Sequence, residues 1–443
     1  MSAPAVAWCG PGGVPLAVDR AVRDPAGALV DGVLHDGERR WPVVAGIPWL
    51  RAGRDDVRER AVAALDAGDA EGAAVVLLAD ADDWWDAPPP PDAQLRAALR
   101  ATTLRAAVDL LGLGRVGTYF LHRWSDPSWL AALALTAAHP PAGRPVVDLA
   151  CGAGHLRRHL ALHGHGAAPG GLTGIDVVFA KLWLARRFVL PPAVPVALVC
   201  ADLTAPWPLP DPDGPGGTGA RHVSCHDALY FFDDADKVAL VAAARRHAGA
   251  GGAVLLGHCH NARHPAGRAG RPLDPDGWRA LLPGAVAYAE EELTAATVAV
   301  RPPRPAADPT GPTGRVSPTD PARGTGRGTG TDPTGGGTRT GHLGGGTRTA
   351  GPGLDATEAV NLALDLASAP PDPALLGPAA GVPLRPNPLY GDPAGDGARR
   401  WPGDRWAAEY GPRAATYLPE RRTDPPADSA VRRRLLLDLP ESW

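Results

Sequence analysis

Lysine is almost absent from this chain: among 44 basic residues only Lys181 and Lys237 are lysines. Alanine, glycine and proline are abundant, which marks the coding bias of a GC-rich genome and removes the arginines as a nucleic-acid signal. The formal net charge of −4 also lacks the basic footprint of a nucleic-acid binder. A nucleic-acid partner is therefore not expected. Cysteine is scarce too. The five are Cys9, Cys151, Cys200, Cys225 and Cys259, and no two form a C-x-x-C pair. Four sit in or beside apolar, strand-like runs, where a free cysteine behaves as a small core residue. This points to a reducing, cytoplasmic setting rather than a disulfide framework. No run approaches the ~18 consecutive apolar residues of a membrane span. No basic segment followed by an apolar one opens the chain as an export signal would. Neither a membrane nor standard export is expected.

What is present is enough for a sizeable core. Hydrophobic residues make up 44% of 443 positions, a length suited to about two to three domains. The 55 glycines and 50 prolines exceed ordinary usage and signal long loops. Residues 1–52 read as a small module of short strands and turns. Residues 53–137 read as mostly helical, clearest in DAQLRAALRATTLRAAVDLLG, with Asp92 as N-cap and Gly112 as stop. Residues 138–300 form the expected ligand-binding core. Residues 301–353 are rich in Gly, Thr, Pro and Arg, and GGGTRT recurs at 335–340 and 344–349. Such a segment cannot bury enough apolar surface to offset its ordering entropy, so a disordered insertion is expected. Residues 354–443 regain Trp, Tyr and Leu and read as a C-terminal completion of the core.

Between 145 and 261 strand and helix alternate. PVVDLA, LTGIDV, VPVALVCAD, HVSCHDALYFF and AVLLGHCHN are strand-like. HLRRHLALHG, FAKLWLARRFVL and DKVALVAAARRHAG are amphipathic helices between them. This pattern predicts an α/β fold, a doubly wound, mostly parallel sheet with helices on both faces. In such sheets ligands bind beyond the carboxyl ends of the strands, at the topological switch point.

The stretch VVDLACGAGHL, residues 146–156, places a carboxylate at a strand end and then a turn of small residues. Glycine there lets backbone approach a ligand closely. The dinucleotide fingerprint G-x-G-x-x-G fails, because Arg157 stands where its third glycine would be. DLACGAG instead resembles the first motif of the class I S-adenosyl-L-methionine (SAM)-dependent methyltransferases, with Ala150 where many members have a glycine. The resemblance extends over roughly 116–262. It implies a Rossmann-like, seven-stranded sheet, SAM as cofactor and methyl transfer as the activity. It places Asp148, Ala150, Cys151, Gly152 and Gly154 at the cofactor turn. Asp176 and Val177, in GIDVVF, would end the second strand, with Asp176 accepting the ribose hydroxyls. Asp202 and Leu203, in CADLTAPW, would hold the adenine amine and pack on its ring. Tyr119, in GRVGTYFLHRW, would belong to a lid over the cofactor. Each acid also has a local alternative: a helix N-cap for Asp148 and Asp176, an Asx-turn for Asp202.

WCGPGGVPLAVD followed by GERRWPVVAGIPWLR resembles the small zinc-ribbon methyltransferase activators. The family's cysteine pairs are missing and only Cys9 remains. Tetrahedral zinc needs four ligands, so a degenerate module without metal is expected.

Methyl transfer is an in-line displacement at a sulfonium, so alignment and desolvation do much of the work. A base matters when the acceptor is a hydroxyl or a protonated amine. The candidates are His226 and Asp227 after the fourth strand and His258 on the fifth, with Tyr230 and His260 near them. His226 is the expected base. A small-molecule acceptor, natural-product or sugar-like, is expected. The alternatives are an RNA or protein methyltransferase and a non-catalytic SAM-binding protein.

Overall fold

A computed structural model describes residues 7–80, 88–166, 171–214, 219–264, 270–307, 353–391, 396–423 and 426–443. Four strands come first: β1 (Ala17–Arg23), β2 (Leu29–His35), β3 (Arg40–Val44) and β4 (Ile47–Pro48). They form one antiparallel sheet in chain order. Seven more strands follow: β5 (Val146–Leu149), β6 (Leu172–Asp176), β7 (Val196–Cys200), β8 (His222–His226), β9 (Ala253–His260), β10 (Val286–Ala289) and β11 (Ala359–Asp365). They form the main sheet in the order β10-β11-β9-β8-β5-β6-β7.

The neighbours from β9 across to β7 pair in parallel, while β11 runs antiparallel to both β9 and β10. Every residue of β5, β6 and β9 is buried, as expected of a sheet covered on both faces. Alternation along the strands feeds two cores. Val146, Leu172 and Leu198 pack on one side with Trp129, Leu130 and Phe179. Val147, Leu149, Ile175 and Val199 pack on the other with Leu240, Val241 and Trp278. The helix Pro127–Ala138 is buried nearly all round. It starts with Pro127 in its first turn and Asp126 as N-cap, accepting from the Trp129 amide at 2.8 Å.

The chain runs outward through β5, β6 and β7, then returns to place β8 on the other side of β5. That reversal is the switch point, and it opens at the carboxyl ends of β5 and β8. The first sheet docks on the edge of β7, where the Leu50 amide donates to the Cys200 carbonyl at 2.7 Å. Of the expected insertion 301–353, residues 308–352 lie outside the described residues. Just before them, Arg301 and Arg304 pair with Glu292 on the helix Glu290–Ala299. β11 then inserts between β9 and β10, so the sheet draws strands from both sides of that segment. No helix among the described residues is long and apolar enough to cross a membrane.

Candidate active site at the switch point

A cavity of 1410 Å³ lies over the carboxyl ends of the strands. Its walls come from the tips of β5 to β9, the helix Gly114–His122 and the helix Asp404–Ala414. Single-ligand pockets are typically about 300–1,000 Å³, so this one has room for two ligands.

One end is the turn after β5. Ala150, Gly152 and Gly154 all adopt left-handed backbone, with φ of 50°, 53° and 79°. Glycine takes this conformation without strain, whereas Ala150 does not. The Cys151 amide donates to the Ile175 carbonyl at 3.0 Å, tying the turn to β6. Ala150, Cys151 and Gly152 line the cavity. Gly154 does not: it backs onto Ala185 and Leu190, and a Cβ there would sit 3.1 Å from the Ala185 Cβ. Its role is close packing under the turn.

The acids divide into three situations. Asp148 is buried, and its two oxygens accept from Arg157 at 2.9 Å and from Ser224 at 3.1 Å. It braces β5 against β8 and the helix below, with neither oxygen left without a protein partner. Asp176 accepts from the Gly152 amide at 2.8 Å and the Val178 amide at 3.0 Å. It ties the turn after β5 to Val178, the residue just before the helix Phe179–Leu184. Each carboxylate oxygen has two lone pairs, so acceptor capacity toward the cavity remains. Asp202 accepts from the amide and the hydroxyl of Thr204, both at 2.8 Å, in an Asx-turn. Asp176, Val177, Asp202 and Leu203 all line the cavity.

Arg157 was marked in the sequence only as the residue that breaks the dinucleotide fingerprint. It is wholly buried, and its guanidinium occupies the space over Gly174, where a Cβ would meet Cζ at 2.4 Å. The side chain that replaces the third glycine thus closes the floor under the turn.

The other end of the cavity is polar and crowded. Asp227, just past β8, has φ of 60°. It accepts from the Tyr119 hydroxyl at 2.5 Å and the Tyr230 hydroxyl at 2.7 Å. Burial works against its charge, but His258 and Arg123 outweigh that and hold its carboxyl at about 2. The Tyr119 ring stacks on Trp406 at 6.2 Å, joining the two roof helices.

His226 packs against Gly257: a Cβ there would fall 2.0 Å from Nδ1. Its Nε2 is buried and has no hydrogen-bond partner among the described residues. Burial, then the charge of Arg123, pushes its pKa down to about 3. The ring expected to act as base thus lines the cavity with its Nε2 buried and one side against Gly257. His258 is held differently. It sits at an irregularity in the β9–β11 pairing with φ of 52°, and its amide donates to the Asn361 side chain at 2.8 Å. Its Nδ1 pairs with Glu290. Burial would lower its pKa, but Glu290 and Asp227 outweigh burial and raise it. Its Nε2 meets the His260 Nε2 at 2.9 Å and lies 3.6 Å from Asp227 Oδ1. Glu290, in turn, also pairs with Arg413 from the C-terminal helix. Glu290, Arg413 and Trp406 carried no sequence signal of this role: each lies far along the chain from the strand tip it serves.

No protein-family model matches the chain, and no curated protein does. Solved structures do match in part. A chain from the complex between the Haloferax volcanii Trm112 methyltransferase activator and its methyltransferase partner aligns at 18% identity over 42% of this chain and 77% of that one, with a TM-score of 0.30. A SAM-dependent methyltransferase of Thermotoga maritima aligns at 15% over 39% and 77%, TM-score 0.28. Another, of Mesorhizobium loti, aligns at 25% over 28% and 50%, TM-score 0.23. This chain spans 44% of a matching Pyrococcus horikoshii protein. Likeness of this extent leaves the function to the site itself.

Proposed function

We propose that this chain is a SAM-dependent methyltransferase acting on a small-molecule acceptor. One observation carries the reading: a single cavity joins the left-handed turn Ala150–Gly152, with Asp176 and Asp202 beside it, to the polar end at Asp227 and His258. The turn fits a nucleoside-bearing cofactor. Gly152 leaves its wall bare, and a Cβ there would press to 3.1 Å from the Phe120 ring. Asp176 would take the ribose hydroxyls, Asp202 the adenine amine, and Val177 and Leu203 the ring faces. Bound SAM supplies a methyl group already activated on a sulfonium.

The remaining work belongs to this chain. Tyr119, Trp406 and Tyr410 form one wall of the transfer path. Tyr119 and Tyr230 fix the Asp227 carboxylate through its two oxygens. Glu290 fixes the His258 ring. Asp227, His258 and His226 all line the acceptor end of the cavity, and Asp227 and His258 are the ones held in place by side-chain partners. The roofed acceptor end suits a small molecule better than an RNA or protein chain.

Calorimetry with SAM and S-adenosylhomocysteine tests the cofactor, with binding on the order of −5 to −8 kcal/mol expected. Labelled SAM with a metabolite extract, followed by mass spectrometry, then identifies the acceptor. No heat with either ligand, while NAD binds, overturns the reading.

A further inference from the structure

We propose that Asp227, His258 and His260 form a binding site for a transition-metal dication at the acceptor end of the cavity. The ligand atoms are His258 Nε2, His260 Nε2 and a carboxylate oxygen of Asp227. They all lie within 4.8 Å of one another. The two imidazole nitrogens are 2.9 Å apart, and His258 Nε2 is 3.6 Å from Asp227 Oδ1. Ligands ~2.1 Å from one cation stand ~3.0 Å apart at a right angle and ~3.4 Å apart at the tetrahedral angle. The two separations that involve His258 Nε2 are therefore close to those of ligands on one ion, and the carboxylate of Asp227 stays within 4.8 Å of His260. All three residues line the cavity.

The supporting shell is the kind a metal site needs. Glu290 holds Nδ1 of His258, which fixes the ring and turns the Nε2 lone pair toward the other ligands. A carboxylate behind a ligating histidine sets its tautomer and raises its basicity. The Tyr230 ring stacks on the His260 ring at 3.9 Å and 7°. The hydroxyls of Tyr119 and Tyr230 orient Asp227. Arg123 lies 3.7 Å from Asp227 but is also paired with Asp126 at 2.9 Å. Two of the three ligands, Asp227 and His258, are held in left-handed backbone, a strained conformation that is kept where the surroundings over-determine it.

Two imidazoles and one carboxylate favour zinc, cobalt, manganese or iron over magnesium or calcium. Three protein ligands leave at least one position open for a substrate oxygen. Resting on the methyltransferase reading, this names the acceptor class as a hydroxyl compound. Its O–H proton passes to water and its oxygen pair forms the bond to the methyl carbon. The carbon–sulfur pair stays on sulfur, giving S-adenosylhomocysteine. No metal is expected from the sequence anywhere in the chain, because it offers only Cys9 of the activator family's thiolates; the triad departs from that expectation through histidine and carboxylate ligands.

The test titrates Co²⁺ alone into metal-stripped full-length protein, read by visible absorption and calorimetry, with SAM affinity measured separately. One Co²⁺ per chain is expected. His260→Ala should abolish it while SAM binding is kept. Glu290→Gln should weaken it by about 10–100-fold. No stoichiometric Co²⁺, or full binding by His260→Ala, overturns the proposal. If His260→Ala does not fold, pulsed electron paramagnetic resonance of Cu²⁺-loaded wild type decides: two coupled imidazoles support the site, and none overturns it. Co²⁺ bound without SAM affinity sinks the cofactor reading alone, and SAM affinity without Co²⁺ sinks the metal alone.

Discussion

Asp176→Ala separates the two jobs that the structure gives one carboxylate. Its oxygens accept from the Gly152 amide at 2.8 Å and the Val178 amide at 3.0 Å, and the residue is 3% exposed. Hydrogen bonds to a charged group contribute about 1.5–3 kcal/mol each. Truncation leaves the buried Val178 amide and the half-buried Gly152 amide unmet, so a loss of up to about 3–6 kcal/mol of stability is expected. Asp176→Asn keeps one acceptor but turns an NH₂ toward the other amide, so at least about half that loss should remain. Denaturant unfolding gives the stability change. Calorimetry with SAM, at a temperature where every variant is folded, gives the second quantity. If the carboxylate also accepts the ribose hydroxyls, affinity falls a further ten- to hundredfold, the equivalent of about 1.4–2.8 kcal/mol. A stability change under about 1 kcal/mol would refute the brace. An intact brace effect with affinity changed less than twofold would refute the ribose contact and leave Asp176 as a structural residue.

Gly174→Ala should destabilise the fold, because its Cβ would stand 2.4 Å from Cζ of the buried Arg157. Arg157→Met should relieve that clash yet cost about 3–5 kcal/mol by stranding Asp148, so denaturant unfolding of the double variant should be less than additive; simple additivity refutes the contact. Stability should fall with acid. His155 and His222 are held at about 3 and about 4 chiefly by burial, below the ordinary 6.5. Between pH 6.5 and 4 the unfolded chain takes up these protons and the folded chain does not. The stability present above 6.5 is then lost at about 1.4 kcal/mol per pH unit for each ring, near 3 for the pair. A denaturation midpoint flat from pH 7 to 4.5 contradicts this. His226→Ala should leave SAM affinity unchanged and turnover of the identified acceptor within about tenfold. A loss above about a hundredfold, the scale of a lost general base, would restore His226 to that role.

The sheet was legible because burial writes itself locally. Continuous apolar runs such as VPVALVC can satisfy only a strand covered on both sides, and the seven-stranded α/β sheet follows that reading. The turn after β5 was legible because left-handed backbone demands glycine, and Gly152 supplies it. Gly154 obeyed the same rule for a different reason, the close approach of Ala185. Sequence shows that a glycine is needed, not which neighbour needs it. β11 carries the pattern AVNLALD, but its place beside β9 depends on a partner about a hundred residues earlier: His258 pairs its amide with Asn361 across 103 positions. Local periodicity holds no information about such a pairing.

The choice between His226 and His258 shows where that limit falls. Both are histidines at the carboxyl ends of neighbouring strands, β8 and β9, and nothing local separates them. The separation comes from Glu290, 32 residues beyond His258, and Arg413, a further 123 beyond Glu290. Those two make a buried charge chain ending on one ring and leave the other packed on Gly257. Backbone strain points the same way. Ala150, Asp227 and His258 are left-handed without being glycine, and they stand at β5, β8 and β9, adjacent in the sheet. Each is held by partners from elsewhere: the β6 carbonyl below Cys151, the two tyrosines on Asp227, Asn361 and Glu290 on His258. Strain persists where surrounding contacts over-determine it. Three such positions on one sheet edge put those contacts around a single ligand cavity.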